Sequence, residues 1–184
     1  ATIAGMSISR VDLLQAFDGL LQPERFKDYG PNGLQVEGKE QIARVVSGVT
    51  ASKALIEAAI AARADAIFVH HGLFWRGQDG RVTGWMKQRL QLLLAHDINL
   101  FAYHLPLDAH PQWDNNAQLG QMLGWTSVAQ FGEQLLGCVA NADYPHAQAV
   151  ADHVAAVLGR PAMLVTSADS TRPVTKVAWC TGGA

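Results

Sequence analysis

Two short apolar runs each lead into histidine, and the residues at their ends have the clearest potential for chemistry. The first run leads directly into His70 and His71, and the next leads into His104, with Asp108 four residues later. In an open α/β sheet, ligands bind beyond the carboxyl ends of the strands. If the two runs are parallel neighbouring strands, these four side chains converge. The spacing therefore predicts a site at the ends of two strands.

The chemistry that these residue types indicate is that of a transition-metal site. Imidazole and carboxylate together favour zinc, iron, manganese or nickel over calcium. Successive side chains of a strand point to opposite faces, so we expect His70 and His71 to serve two adjacent ions, bridged by a carboxylate such as Asp108. Two ions about 3.5–4 Å apart would activate water and clamp a reacting oxygen. Pro106 predicts a loop between His104 and Asp108.

A structural role for the same histidines remains open from the residues alone. His96, His146 and His153 fall on predicted helices or at their ends, and His110 precedes a proline, so these four are interpreted as structural. Three or four ligands also leave a two-metal site incomplete. Further ligands would have to come from elsewhere in the protein.

Other catalytic or binding patterns are weak. The sequence contains no dinucleotide-binding glycine motif, no P-loop and no Gly-x-Ser-x-Gly elbow. Trp75 either stacks on a base or packs under a loop. Asn115 and Asn116 are interpreted as helix caps first and as substrate contacts second. Cys180 is interpreted as a buried thiol at a strand end, since no catalytic partner can be named for it.

The order of the elements indicates an α/β fold of mixed sheets flanked by helices. Short apolar segments typical of buried strands alternate with segments of helical spacing. Residues 1–125 are predicted to form the half that carries the site, and residues 126–184 a second lobe and the start of a second half. The predicted helices run from the Ser9 cap to Leu21 and over residues 51–63, 86–95, 117–123 and 145–158. The predicted strands are residues 44–49, 66–69, 98–103, 162–166 and 176–180, with two more between residues 126 and 142.

The end of the sequence repeats an earlier pattern. Residues 176–183 predict a buried strand that feeds a glycine turn, and residues 44–50 predict a similar strand that feeds a helix. The pair is a weak indication of internal duplication. Because a domain rarely ends on a buried strand with nothing to cover it, we expect this chain to be a fragment.

Composition excludes several classes of protein. Hydrophobic residues make up 49% of the 184 residues and charged residues 16%, which excludes a disordered chain. The formal net charge of −2, without a basic run, gives no support to nucleic-acid binding. Two distant cysteines exclude a disulfide framework, and no apolar run reaches about 18 residues. With no signal peptide in view, we expect a cytoplasmic protein without a membrane span.

Several separated blocks, in the same order, resemble one protein family. The blocks are DYGPNGLQVEG at 28–38, GVTAS at 48–52, VHHG at 69–72, HLPLD at 104–108 and AWCTGG at 178–183. They resemble the Nif3-like, or YbgI, family, also described as dinuclear-metal-centre hexameric proteins and as GTP cyclohydrolase I type 2 homologues. The resemblance covers nearly all 184 residues.

The resemblance implies a fold of two related, intertwined halves and a hexameric ring built as a trimer of dimers. It implies two divalent ions per subunit, with His70, His71 and Asp108 among their ligands. The family's remaining ligands, a histidine and a glutamate, belong to a C-terminal segment that this sequence lacks. His104 matches a position near the metals, and it is assigned a supporting or catalytic role.

Two functions follow as hypotheses. The first is a metal-dependent hydrolase of a nucleotide-like substrate. The resemblance suggests GTP, converted to dihydroneopterin triphosphate and formate by metal-activated water, with His104 moving protons. The second is a non-enzymatic ring scaffold or regulatory protein whose metals are structural or sensory.

Overall fold

The computed structural model describes residues 6–166 and 171–181. The chain divides into two compact units, Ala1–Leu107 and Asp108–Ala184, and both combine a sheet with helices, which confirms the predicted α/β class. The predicted division into halves at residues 125 and 126 stays a prediction. Within the described ranges, the helices are too short or too polar to cross a membrane.

The first unit holds the elements that position the predicted histidines. A four-stranded sheet has the order β2-β6-β5-β4, and a two-stranded sheet pairs β1 with β3. The elements of this part of the chain are β1 (Ile8–Ser9), α1 (Arg10–Leu21), a 3-10 turn (Pro23–Arg25), β2 (Gly33–Val36), β3 (Gln41–Ile42), β4 (Val45–Thr50), α2 (Lys53–Ala61), β5 (Ala66–His71), α3 (Gly84–Ala95), β6 (Asn99–Ala102) and α4 (Leu105–Asp108).

Three strands of the larger sheet are parallel. β4 pairs with β5, and β5 with β6, in parallel register, whereas β2 is antiparallel to β6. The register places Val69 opposite Ala102, and Thr50 opposite His71. The carboxyl ends of β4, β5 and β6 therefore meet at one edge of the sheet.

Both faces of this sheet are buried, which explains the uninterrupted apolar runs in the sequence. Alternate residues of β5 and β6 enter two different cores, one packed against α2 and α3 and the other against α1. The residues of these strands in the first core are Ile67, Val69, Leu100 and Ala102. Those in the second core are Ala66, Phe68 and Phe101, joined by Tyr103, which directly follows β6.

Helix ends follow the capping signals of the sequence. The hydroxyl of Ser9 accepts a 3.0 Å hydrogen bond from the N–H of Asp12 and begins α1. The helix ends at Leu21, before Pro23, as predicted. In the second unit, Gly124 has φ of 71° and ends the helix that precedes it, also as predicted.

Other local predictions are wrong. Residues 105–108 form a helical turn with Pro106 as its second residue, where the missing N–H has no helical partner in any case. Residues 162–166 are irregular, and Met163 and Val165 are exposed, so their apolar character does not reflect burial in a sheet. β2 escaped prediction because its pairing partner, β6, lies far away in the sequence.

The second unit is built around a three-stranded antiparallel sheet of order β7-β8-β9. Its core contains Trp179, whose indole N–H donates a 2.9 Å hydrogen bond to the carbonyl of Asn116. The elements are α5 (Asn115–Leu123), β7 (Ala129–Phe131), a 3-10 turn (Glu133–Leu135), β8 (Gly137–Tyr144), α6 (Ala147–Leu158) and β9 (Val174–Trp179).

Candidate metal centre

Three of the predicted residues converge at the carboxyl edge of the parallel strands. His70 and His71 are the last two residues of β5, and His104 follows β6 by two residues. Each offers a ring nitrogen, and these nitrogens all lie within 4.8 Å of one another. The ring centroids of His70 and His71 are 4.5 Å apart, and those of His70 and His104 are 4.8 Å apart. The alternation expected for successive strand residues therefore does not keep His70 and His71 apart.

Each imidazole of the cluster is bonded through Nδ1 to another group of the first unit. Nδ1 of His70 lies 3.2 Å from the carbonyl oxygen of Tyr103, which can only accept. Nδ1 of His71 lies 3.1 Å from the Thr50 hydroxyl. Nδ1 of His104 lies 2.7 Å from Oδ1 of Asp28. Ligating histidines commonly have their other nitrogen bonded in this way, because the bond fixes the ring and its tautomer.

Burial favours the neutral form of His70, the form that can bind a metal ion. It lowers the pKa of His70 below its usual value, and the neighbouring His104 lowers that pKa further, while the Tyr103 carbonyl and Asp28 oppose the shift. His70 is thus neutral near pH 7, as a ligand must be. Three close imidazoles in a partly buried setting fit a transition-metal ion.

Asp28 is ionised for a different reason. Burial alone would raise its pKa, yet hydrogen bonds from His104, Asn32, Leu105 and Tyr29 hold that pKa below its usual value. The site therefore contains a fixed negative charge beside its third imidazole.

Two loops frame the cluster on its open side. A Cβ at Gly30 would overlap the carbonyl oxygen of Phe74, so the loop before β2 and the loop after β5 touch through their backbones. Trp75 packs with its ring centroid 5.1 Å from that of His104 and 6.0 Å from that of His71. The cleft between the loops has a volume of about 10 Å³, enough for about one water molecule. A small-molecule pocket has roughly 300 Å³, so the cleft suits a water-sized group rather than a whole nucleotide.

Asp108, the fourth predicted residue, belongs to the second unit. It is the half-buried last residue of α4 and the first residue of the second unit. Its role as a metal ligand stays a prediction.

Sequence reasoning missed the residues that support the histidines. Asp28, Asn32, Gln35 and Thr50 were not singled out as functional, although the first three lie in the DYGPNGLQVEG block. The available signal was an Asp and an Asn four residues apart in a turn rich in glycine and proline.

Comparison with known proteins identifies the family of this chain. The family model described as Duf34/NIF3 (NGG1p interacting factor 3) matches residues 8–184. The chain belongs to the Duf34/NIF3 family. This confirms the resemblance seen in the sequence.

Relatives of this NIF3-family chain share much of its sequence. It is 47% identical over 178 residues to a "GTP cyclohydrolase 1 type 2 homolog" of Neisseria meningitidis serogroup A, covering 96% of the chain and 71% of the relative. A protein of the same name from Pseudomonas aeruginosa is 46% identical, covering 97% and 71%.

Solved structures show the same fold. The chain matches the structure of "protein ybgI, unknown function" with a TM-score of 0.88 and 42% identity, covering 96% of the chain and 70% of that protein. It matches a protein from Thermus thermophilus with a TM-score of 0.75 and 32% identity, covering 91% and 69%. The NIF3-family chain thus spans about 70% of the length of these relatives.

Proposed function

We propose that this NIF3-family chain carries the metal-binding part of a metal-dependent hydrolase. The main support is the cluster of three imidazoles, whose ring nitrogens lie within 4.8 Å of one another at the ends of parallel strands. Bonds from Tyr103, Thr50 and Asp28 to Nδ1 of these rings add to that support.

The proposed ligands are His70, His71 and Asp108, for two divalent ions among zinc, iron, manganese and nickel. Neutral imidazole and carboxylate are the donors that such ions prefer. When bound, the ions would act as Lewis acids toward the reacting oxygen of the substrate or of water. The family resemblance implies a further histidine and glutamate as ligands from a later segment.

His104 is proposed as the residue that moves a proton during hydrolysis. Its Nδ1 is bonded to Asp28, so Nε2 is the nitrogen left for exchange with a reacting group. Its ring lies 4.8 Å from that of His70, centroid to centroid, which keeps it beside the proposed ligands.

The proposed substrate is a nucleotide, and GTP is the first to test because relatives bear the name GTP cyclohydrolase 1 type 2 homolog. Water would attack the imidazole-ring carbon of the base, and GTP plus water would give dihydroneopterin triphosphate and formate. Because the cleft has a volume of only about 10 Å³, most of such a molecule must bind outside it.

The experiment uses the intact protein, freed of metal and then supplied with Zn²⁺, Mn²⁺, Fe²⁺ or Ni²⁺. Turnover is measured with GTP and with a phosphodiester, and bound ions are counted by elemental analysis. We expect turnover only with metal. The variants His70→Ala and Asp108→Ala should lose bound metal and activity, and His96→Ala, which replaces an exposed histidine at the end of α3, should keep both.

The variant His104→Gln tests the proton role. We expect it to keep its metal and to lose about 10²–10⁴-fold in turnover, the usual contribution of a general acid or base. Loss of metal equal to that of His70→Ala would make His104 a ligand and remove its proposed role.

A homohexameric ring is proposed on the family resemblance alone, and light scattering of the intact protein tests it. If the His70→Ala variant no longer assembles into the hexamer, and no metal-dependent turnover is found with any substrate, the enzyme hypothesis is rejected in favour of the scaffold or regulatory function.

A further inference from the structure

Two side chains of one loop hold His104 from two sides. Oδ1 of Asp28 lies 2.7 Å from the ring Nδ1, and Oδ1 of Asn32 accepts a 2.8 Å hydrogen bond from the backbone N–H of His104. Asn32 also donates to Oδ2 of Asp28 at 2.9 Å. The ring and the backbone of His104 are therefore fixed by side chains that are themselves bonded together.

The surroundings of Asp28 decide which atom carries the shared proton. Besides Asn32, the backbone N–H groups of Tyr29 and Leu105 donate to its carboxyl oxygens, at 2.6 and 2.8 Å. These three groups are placed as donors, and only 3% of the Asp28 side chain is exposed. Such a set of donors favours the carboxylate, which can only accept. The proton between Asp28 and His104 must then reside on Nδ1.

We infer that Asp28, braced by Asn32, is a positioning residue that fixes His104 as the Nδ1–H tautomer and leaves the ring lone pair on Nε2. The inference deepens the proposed function and rests on it for the catalytic use of His104. The hydrogen bonds that define the tautomer are independent of that function.

The simpler explanation is that Asp28 only caps α4. Its Oδ2 accepts the N–H of Leu105, the first residue of that helix. Asparagine caps helices about as well as aspartate, so a capping role predicts that Asp28→Asn is tolerated and leaves His104 unchanged.

A positioning role predicts the opposite result for Asp28→Asn. If the new amide nitrogen faced Leu105 and Asn32, it would lie against two N–H donors, the Leu105 backbone N–H and the Asn32 amide, and neither would have an acceptor. If it faced His104, the ring could adapt by moving its proton to Nε2, and only the solvent-exposed hydrogen bond from the Tyr29 N–H would be lost. The second arrangement leaves fewer donors unpaired, so the substitution should reverse the tautomer.

The test records long-range ¹⁵N–¹H spectra of histidine-labelled, metal-free protein at mildly alkaline pH, where the rings are neutral. The signals of His104 are assigned by their loss in His104→Gln. We expect the Nδ1–H tautomer in the wild type and the Nε2–H tautomer in Asp28→Asn. Asp18→Asn is the matched control, since Asp18 accepts a 2.6 Å hydrogen bond from Tyr103, the residue before His104. It should keep the wild-type tautomer.

Two results would overturn the inference. One is the finding that His104 of the wild-type protein is mainly the Nε2–H tautomer. This measurement uses the wild-type protein alone, so it does not depend on whether a variant folds. The other is an Asp28→Asn variant, folded by circular dichroism, whose tautomer matches that of Asp18→Asn.

Zinc titration and kinetics of the intact protein add a second measurement. Asp28→Asn should bind Zn²⁺ as the wild type does and lose about 10²-fold or more in kcat with little change in KM. Loss of zinc binding in both Asp28→Asn and Asp18→Asn would indicate general disruption and overturn the inference. If the intact protein hydrolyses nothing, the proposed function fails, and the tautomer spectra still decide the role of Asp28.

Discussion

Oε1 of Gln35 accepts a 2.8 Å hydrogen bond from the backbone N–H of Leu73, two residues after the histidine pair. The amide of the same side chain donates, also at 2.8 Å, to the carbonyl of Pro31. One glutamine therefore joins the two loops that frame the histidine cluster. Gly72 lies directly against it, and a Cβ at this position would overlap the Gln35 amide.

We predict that Gly72→Ala destabilises the first unit by about 1–3 kcal/mol, the usual cost of overpacking a filled site. The Gln35 amide cannot move aside without losing its hydrogen bonds to both loops. Urea unfolding measures the change. The control Gly19→Ala lies in open space within α1, where alanine should stabilise by about 0.5–1 kcal/mol. A neutral Gly72→Ala would mean that Gln35 does not hold the loops together.

Asp65 should make the free energy of unfolding fall as the pH is lowered into the acid range. Burial alone would raise its pKa, but bonds from Lys39 and from the Ala43 and Arg44 N–H groups hold it below the ordinary 3.8. A lowered folded-state pKa adds stability above the unfolded-state pKa, and this stability is lost as pH falls through the folded-state value.

We therefore expect Asp65→Asn to cost about 1–3 kcal/mol at pH near 7, since it weakens charge-assisted bonds. The difference from wild type should begin to shrink near pH 3.8 and narrow further below it. Denaturant unfolding at several pH values measures this trend. A difference that stays constant into acid would contradict it.

Asp114 should show the opposite pH trend. It begins α5 by accepting the N–H of Ala117, but burial, followed by the nearby charge of Asp108, raises its pKa from 3.8 to about 6. A raised folded-state pKa means that the folded protein binds the proton more tightly. Stability is then lost as pH rises from about 4 to about 6.

Asp114→Asn keeps a good helix cap and removes the charge. As pH rises from 4 to 7, the free energy of unfolding of the variant should increase by about 1–3 kcal/mol relative to wild type. Because solvent screens the charges, we expect a value near the lower end of this range. Denaturant unfolding of both proteins in the presence of a chelator measures this gain. The chelator removes any metal ion that would otherwise offset the charge of Asp108. A variant that gains nothing over this range would show that Asp114 titrates normally.

Zinc should stabilise the protein through the histidine cluster. At a free concentration about 100 times Kd, a ligand adds about 2.7 kcal/mol, which corresponds to roughly 5–10 °C in Tm for a domain of this size. His71→Ala should lose most of this shift, whereas His96→Ala should retain it. An equal shift in both variants would place zinc elsewhere.

Local signals in the sequence were sufficient to predict most elements and the three histidines that the fold brings together. Ser9, Pro23 and Gly124 mark helix ends through interactions within a few residues, and these predictions are confirmed. The strands that lead to His71 and His104 were visible because both of their faces are buried. In contrast, β2 was missed because its strand partner β6 lies far along the chain.

The sequence by itself determined the α/β class, the family and which histidines form the cluster, because capping, apolar runs and motif blocks are properties of neighbouring residues. Only the tertiary structure decided how these histidines are held. Parallel pairing of β5 with β6 brings His104 to His70 and His71, and the loop before β2 carries Asp28 to a ring 76 residues away. Hydrogen bonds act over about 3 Å in space, whatever the separation in sequence, so the partners of each imidazole became visible only in the folded chain.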